Sequence, residues 1–253
     1  MSRREAYLLA GATATGKSDA AAILAQELGA AILSADSMLV YRGMDIGTAK
    51  PSAEERVRFD MGGVDLVTLA EDFSAGEWLR RASAWAAGLA AQRPIVVVGG
   101  TGLYFTALLR GLDAPWRNPP PEYAVLQMDR EVRRRRILER IDLMLASGLE
   151  AEVTRLRAEY PVWSRTAAGA IGYKEFGAPL RDAAHGDRVY AAVPGRSARD
   201  EIFYRTCQFA KRQDTWFRHQ STPLYVQCGA TAAETAAAVR TIWRAHGPWQ
   251  IEL

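Results

Sequence analysis

Cysteine and histidine are scarce in this chain of 253 residues. Its two cysteines, Cys207 and Cys228, are far apart and form no C-x-x-C pair, which argues against a disulfide framework or a zinc site. The three histidines, His185, His219 and His246, have no spacing typical of a metal site or a catalytic triad. We therefore expect a reduced, cytoplasmic protein whose chemistry uses other side chains.

Long apolar runs are also missing. No window approaches the roughly 18 apolar residues that a membrane span requires, so we expect no membrane association. The basic start Ser2-Arg3-Arg4 precedes an apolar run that is too short for a signal peptide. The net charge of +3 is too small to indicate nucleic-acid binding by itself.

Lysine is rare, because only four of the 32 basic residues are lysines, at positions 17, 50, 174 and 211. This bias suggests that arginine stands wherever either cation suffices. The positions that keep lysine are then expected to need a compact ammonium group.

The chain is rich enough in apolar residues, at 49%, for one α/β domain. Apolar patterns predict strands over 6–10, 30–34, 64–69, 94–98 and 224–226, and helices up to 28 and over 74–92, 128–147, 149–159, 197–218 and 231–245. Alternating strands and helices predict a parallel sheet with right-handed crossovers. Ligands then gather at the carboxyl ends of the strands.

Between the first strand and the first helix lies the pattern G-x-x-x-x-G-K-[ST]. Its residues are Gly11, Ala12, Thr13, Ala14, Thr15, Gly16, Lys17 and Ser18. Such a loop wraps a polyphosphate with its backbone N–H groups, while Lys17 supplies a point charge and Ser18 a hydroxyl for Mg²⁺. A glycine turn without a ligand is the alternative, and the flanking strand and helix disfavour it.

Asp36 and Thr101 also follow predicted strands. A carboxylate at Asp36 suits a general base or a metal ligand, and Thr101 between two glycines suits a second phosphate or a leaving oxygen. A helix cap at Asp36 and a plain turn at Thr101 are the alternatives. The strand ending at Val98 leads into glycines instead of an aspartate, which disfavours an ATPase or GTPase.

Arginines are concentrated in the predicted helix over 128–147. Arg133, Arg136 and Arg140 share one face, which suits a pyrophosphate or a nucleic-acid backbone. A solvated face paired with neighbouring glutamates is the usual alternative. Near the C-terminus Trp216 and Phe217 accompany further cations, and for these aromatics we favour a place in the core.

Five segments together resemble bacterial tRNA dimethylallyltransferase in order and spacing. They are residues 11–18, 36–51, 99–104, 172–175 and 210–213. The resemblance implies a single transferase domain over 1–253, similar to P-loop NTPases, with additional C-terminal helices. It also implies transfer of a dimethylallyl group from dimethylallyl diphosphate to the exocyclic amine of the adenine 3′ of the anticodon in tRNA, with Mg²⁺.

The resemblance also implies roles for particular residues. Asp36, Thr101 and Arg140 would be catalytic, the loop 11–18 would hold the diphosphate, and Ser18 would bind the metal. The residues expected to contact tRNA are Asp36, Ser37, Met38, Leu39, Thr101, Gly172, Tyr173 and Lys174. Because the adenine is stacked in the anticodon loop, it would have to be flipped into the site.

The sequence departs from the family in three places. Leu39 stands where the family usually has glutamine, and Cys207 stands where it has arginine. Family members carry a helical insertion that grips the anticodon stem, whereas this chain has only a proline-rich linker over 113–123. We expect diphosphate binding to survive these changes, and we expect a monomer.

Three other functions compete with this prediction. A shortened tRNA clamp suits prenyl transfer to a free adenine nucleotide, although the segment 36–51 resembles the tRNA-modifying branch. A small-molecule kinase and a catalytically silent RNA-binding relative are the remaining candidates.

Overall fold

The computed structural model describes residues 3–111, 121–180, 188–189 and 195–253. Its strands are β1 Arg3–Gly11, β2 Ala31–Ala35, β3 Ile95–Gly99, β4 Glu122–Gln127, β5 Pro179–Leu180, β6 Arg188–Val189, β7 Thr222–Gln227 and β8 Trp249–Glu252. Its helices are α1 Lys17–Leu28, α2 Ala53–Arg58, α3 Ala75–Ala87, α4 Gly102–Arg110, α5 Arg130–Ala146, α6 Leu149–Glu159, α7 Arg165–Ala168, α8 Ala198–Gln220 and α9 Ala232–His246. One 3-10 turn covers Lys174–Phe176.

The main sheet has six strands. Five are parallel in the order β2-β3-β1-β4-β7, and β8 joins the first residues of β1 in the antiparallel direction. Strands β2 and β3 are buried along their whole length, which explains their unbroken apolar sequences. The predicted α/β fold with a parallel sheet flanked by helices is confirmed.

Each face of the sheet has its own hydrophobic core. The larger core contains Trp78 of α3, Phe105 of α4 and Phe217 of α8. The smaller core packs α1 and α9 against the opposite face and includes Leu24 and Trp243. With helices on both faces, the carboxyl edge of the parallel strands is left for ligands.

The predicted helices are confirmed within a few residues, except for the C-terminal end of the one predicted over 74–92, which ends at Ala87. Polar residues cap several of them, as at Ser74, whose side chain accepts a hydrogen bond from Glu77 N, and at Asp129 before α5. Within the part of the chain that the structure describes, no helix is both long and apolar enough to cross a membrane.

One predicted strand is absent, and several strands of the structure, among them β4 and β8, were not predicted. The expected strand over 64–69 is wrong, because Asp65 has a positive φ of 53° and only an isolated bridge joins Val67 to Tyr41. Strand β4 was not predicted, and its first residues overlap the expected linker over 113–123. Residues 113–120 of that linker lie outside the described part of the chain.

Candidate active site

The loop between β1 and α1 has the backbone of a phosphate-binding loop. Ala14 and Gly16 have positive φ angles of 65° and 80°, and α1 begins directly afterwards at Lys17. Inside the loop the Thr15 hydroxyl donates to the carbonyl of Ala12 at 2.8 Å. A non-glycine residue with positive φ is strained, and such strain is concentrated at ligand-binding and catalytic sites.

Helix α8 braces this loop through Gln213. The backbone N–H of Thr13 donates to Oε1 of Gln213 at 2.9 Å, and Nε2 of Gln213 donates to the carbonyl of Gly100 at 3.0 Å. The buried amide therefore ties the phosphate loop to the turn after β3. Sequence reasoning gave Gln213 no role, although it belongs to the resembling segment 210–213 and to the buried helical spacing of Thr206, Ala210, Gln213 and Phe217.

A cavity of about 480 Å³ opens beside the loop. Its cationic and hydroxyl side is formed by Thr13, Lys17, Ser18 and Arg140. Its other walls include Asp36, Ser37, Met38, Leu39, Gly172 and Lys174. One cavity thus brings together six of the eight predicted tRNA residues and three of the eight predicted diphosphate residues, while Gly11, Ala12, Ala14, Thr15 and Gly16 are not among its lining residues.

Two predicted site residues lie behind the cavity wall. The Thr101 hydroxyl accepts a hydrogen bond from Ser37 N at 3.0 Å, so it supports the turn after β2. Tyr173 is completely buried, and its hydroxyl donates to Glu152 at 2.6 Å. The prediction that Tyr173 contacts tRNA is therefore wrong for this conformation, because the ring is part of the core.

Asp36 uses one oxygen for structure and also lines the cavity. Its Oδ1 accepts a hydrogen bond from Met38 N at 2.9 Å, so the alternative of a simple turn residue is partly true. The carboxylate also favours the charged forms of Lys17 and Arg140. A single carboxylate therefore faces two cations.

The two cations are poorly solvated. Burial lowers the pKa of Lys17 to about 8, the charge of Asp36 opposes that shift, and Arg140 adds to it. Burial likewise lowers the pKa of Arg140. Nη2 of Arg140 donates to the Thr13 hydroxyl at 2.7 Å, while its buried Nε has no hydrogen-bond partner among the described residues. A bound anion would accept hydrogen bonds from the guanidinium and offset the free-energy cost of burying both charges.

The pKa of Lys17 makes diphosphate affinity depend on pH. A diphosphate monoester is fully ionised above about pH 7, and it binds the ammonium form. Since the free protein loses this proton near pH 8, affinity falls about tenfold between pH 7 and pH 9 and binding at pH 9 takes up close to one proton. Calorimetry of dimethylallyl diphosphate in buffers of different ionisation enthalpy measures both quantities. Equal affinity at the two pH values without proton uptake would contradict the assignment.

The lysine bias has a structural reason at Lys50. Its side chain is 1% exposed, and Nζ contacts Asp45 at 2.8 Å, Asp65 at 2.6 Å and the carbonyl of Tyr41 at 2.7 Å. A guanidinium is too large for this space. Lys17 is half-buried, whereas Lys211 is exposed and has no such constraint.

The arginine face of α5 is divided among three environments. Arg140 lines the cavity, and the guanidinium of Arg136 lies against the phosphate loop at Gly16. Arg133 pairs with Asp214 at 2.8 Å, so the prediction of one shared anion surface is wrong for Arg133.

Trp216 and Phe217 belong to the hydrophobic core, as the sequence predicts. Phe217 is buried in the larger core, and Trp216 packs against it. The indole of Trp216 lies against Gly102, where no Cβ fits, because one would lie 1.8 Å from Nε1.

Comparisons with known proteins identify the family. The family model described as IPP transferase matches residues 39–124 and 118–220, and the isopentenyl transferase model matches residues 4–60. A tRNA dimethylallyltransferase from Geobacter metallireducens is 31% identical in an alignment 296 residues long, gaps included. The alignment covers 87% of this chain and 91% of the relative. The chain belongs to the tRNA dimethylallyltransferase family.

Further relatives agree with this family. A tRNA dimethylallyltransferase 1 from Citrifermentans bemidjiense is 34% identical, with 83% of this chain and 88% of the relative covered. The crystal structure of a tRNA isopentenylpyrophosphate transferase from Staphylococcus epidermidis is 21% identical and covers 96% of this chain and all of its own, with a TM-score of 0.75. That likeness supports the fold.

The donor set fits a magnesium ion that arrives with a substrate. Ser18 offers a hydroxyl and Asp36 a carboxylate in the same cavity. No group of three or more metal-ligating side chains occurs within the described residues. Mg²⁺ commonly takes one or two protein ligands and completes its shell with phosphate oxygens and water, which matches this site.

Proposed function

We propose that the chain transfers a dimethylallyl group from dimethylallyl diphosphate to the exocyclic amine of the adenine 3′ of the anticodon in tRNA. The product is N6-(dimethylallyl)adenosine. One observation carries the proposal, namely the cavity that joins Lys17 and Arg140 to Asp36. It provides an anion site for a leaving diphosphate and a base for an amine in the same space.

The phosphate loop and Arg140 stabilise the leaving group. As the allylic carbon–oxygen bond breaks, negative charge grows on the diphosphate. The side chains of Lys17 and Arg140 line this cavity, a poorly solvated site where electrostatic stabilisation is strongest. A magnesium ion bound through Ser18 would supply further neutralisation of the diphosphate oxygens.

Asp36 takes the proton of the acceptor. Its Oδ1 is held by Met38 N, so the second carboxylate oxygen is oriented to accept a proton as the carbon–nitrogen bond forms. The Thr101 hydroxyl holds Ser37 N and thereby fixes the turn that carries Asp36. Thr101 therefore acts on the reaction through this turn.

The acceptor approaches past a second group of cations that line the cavity, separate from Lys17 and Arg140. Lys174 is half-buried, Arg165 and Arg212 are exposed, and all three line the cavity, where they suit an RNA backbone. The adenine reaches Asp36 by leaving the base stack.

The chain acts as a single domain, without the insertion of other family members, and as a cytoplasmic monomer. The family model supports the view that this chain lacks a segment of the family. Its two matches, to residues 39–124 and 118–220, overlap over 118–124 at the end of the proline-rich linker.

A kinase or free-nucleotide prenyltransferase finds less support. Strand β3 runs into Gly99 and Gly100, so the described cavity has no aspartate at the end of that strand. Relatives that cover most of the chain are named for tRNA.

The choice of acceptor tests the proposal. Purified protein is incubated with labelled dimethylallyl diphosphate and Mg²⁺, and unmodified anticodon stem-loop RNA or AMP is offered in parallel. Label in the adenine of the RNA is the expected result. Label in AMP alone would establish a free-nucleotide prenyltransferase, and RNA binding without transfer would indicate a silent relative.

Leu39 allows a gain-of-function test. Its side chain lines the cavity where the family usually has an amide. Leu39→Gln restores a hydrogen bond worth about 1 kcal/mol, so KM for the stem-loop RNA falls about fivefold. Met38→Gln, at the neighbouring lining residue, serves as the control and gives no gain. An unchanged KM for Leu39→Gln would mean that other groups hold the adenine.

A further inference from the structure

Glu152 of α6 is a buried carboxylate outside the reaction described above. It is 7% exposed, and the backbone N–H groups of three consecutive residues donate to it, from Asp45 at 3.1 Å, Ile46 at 2.9 Å and Gly47 at 3.3 Å. The Tyr173 hydroxyl supplies a fourth bond at 2.6 Å. Four donors from two distant segments thus converge on one side chain.

Both segments form the cavity wall. Gly47 and Gly172 line the cavity, and a Cβ built on Gly172 would lie 3.9 Å from Gly47. A Cβ on Gly47 would lie 2.5 Å from the ring of Tyr173, so the turn and the ring pack without space between them. Glu152 lies beneath this contact and bonds to both sides of it.

The charges around the turn make its position rigid. Burial raises the pKa of Tyr173, and the charge of Glu152 raises it further, so the hydroxyl remains a hydrogen-bond donor throughout the working pH range. On the opposite side Lys50 binds the Asp45 carboxylate at 2.8 Å. The Asp45–Gly47 turn therefore lies between a buried anion and a buried cation.

We propose that Glu152 is a positioning residue for the acceptor half of the site. It fixes the Asp45–Gly47 turn against Tyr173 and so sets the shape of the wall that receives the acceptor base. This inference rests on the proposed function for the identity of the acceptor. The hydrogen bonds of Glu152 among the described residues all go to the Asp45–Gly47 turn and Tyr173 and none to the phosphate loop, so we expect donor binding to be independent of it.

Three variants test the inference. Glu152→Gln keeps the shape but turns an NH₂ group toward backbone donors, whereas Tyr173→Phe removes a single hydroxyl and is the milder change. Glu150→Gln, at an exposed position of the same helix, is the control. We expect Glu152→Gln to raise KM for the stem-loop RNA at least tenfold and to leave Kd for dimethylallyl diphosphate within twofold. Tyr173→Phe raises the same KM about threefold.

The double variant raises KM for the stem-loop RNA no further than Glu152→Gln alone does, because both residues act through one contact. Equal loss of donor and acceptor affinity would show a purely structural role and overturn the inference, as would an unchanged acceptor KM in a folded variant. Failure of the proposed function is seen separately, in the wild type. If the wild type prenylates AMP, the same variants are compared by their KM for AMP. If the wild type transfers nothing, they are compared by their Kd for the RNA, measured by fluorescence anisotropy.

Discussion

Asp36→Asn lowers kcat by about 10²-fold to 10⁴-fold, the range expected for loss of a general base. The amide keeps the shape of the side chain, and its oxygen still accepts the bond from Met38 N, so the turn is preserved. The variant loses the proton acceptor for the amine and also the negative charge that favours the ammonium form of Lys17. Loss of that charge weakens protonation of Lys17 but also removes an anion beside the bound diphosphate, and the phosphate loop itself is untouched, so Kd for dimethylallyl diphosphate stays within about threefold.

Steady-state kinetics with stem-loop RNA, together with calorimetry of the donor, measure the two effects. Asp72→Asn, an exposed carboxylate outside the cavity, serves as the control and retains wild-type kcat. A kcat for Asp36→Asn close to that of the control would remove Asp36 from the chemistry and leave it as a turn residue.

Arg140→Lys lowers kcat by about 10²-fold to 10³-fold, although the charge is retained. The guanidinium donates to Thr13 through Nη2 and has further N–H groups for a ligand in the cavity, and a lysine ammonium cannot do both. The loss falls mainly on kcat, because negative charge on the diphosphate is largest when the bond to carbon breaks.

Arg135→Lys on the exposed side of α5 is the matched control, since it leaves the cavity unchanged. Inorganic pyrophosphate, which resembles the departed leaving group, should bind the Arg140→Lys variant at least tenfold more weakly. If the variant kept wild-type kcat and pyrophosphate affinity, the diphosphate would have to be stabilised by the loop and Lys17 alone.

The sequence was sufficient to predict that the phosphate loop and the residues after β2 come together at one cavity. The phosphate loop is a local pattern, and Lys17 and Asp36 follow two strands of one parallel sheet. Since carboxyl ends of parallel strands meet at one edge, their convergence follows from topology. The prediction of a strand over 64–69 failed for a local reason. The segment alternates apolar and polar residues as a strand does, but this pattern does not reveal the positive φ of Asp65, which interrupts an extended backbone.

The supports of the site could not be read from the sequence. Gln213 and Thr13 are 200 positions apart, and Tyr173 and Glu152 belong to different segments, so no periodicity joins them. Thr101 and Tyr173 belong to family motifs, and a motif does not distinguish a residue on the cavity wall from one behind it. Burial decides that, and burial depends on the whole fold.

The central claim is that the loop ending in Lys17 captures the leaving diphosphate of an isoprenoid donor. The most direct measurement is a single-turnover reaction with a donor labelled in its five-carbon group and the anticodon stem-loop, in which released pyrophosphate and labelled adenine are both counted. The account predicts one pyrophosphate for each labelled adenine, and no reaction when ATP replaces the donor. Tight binding or hydrolysis of ATP with no binding of the donor would contradict it.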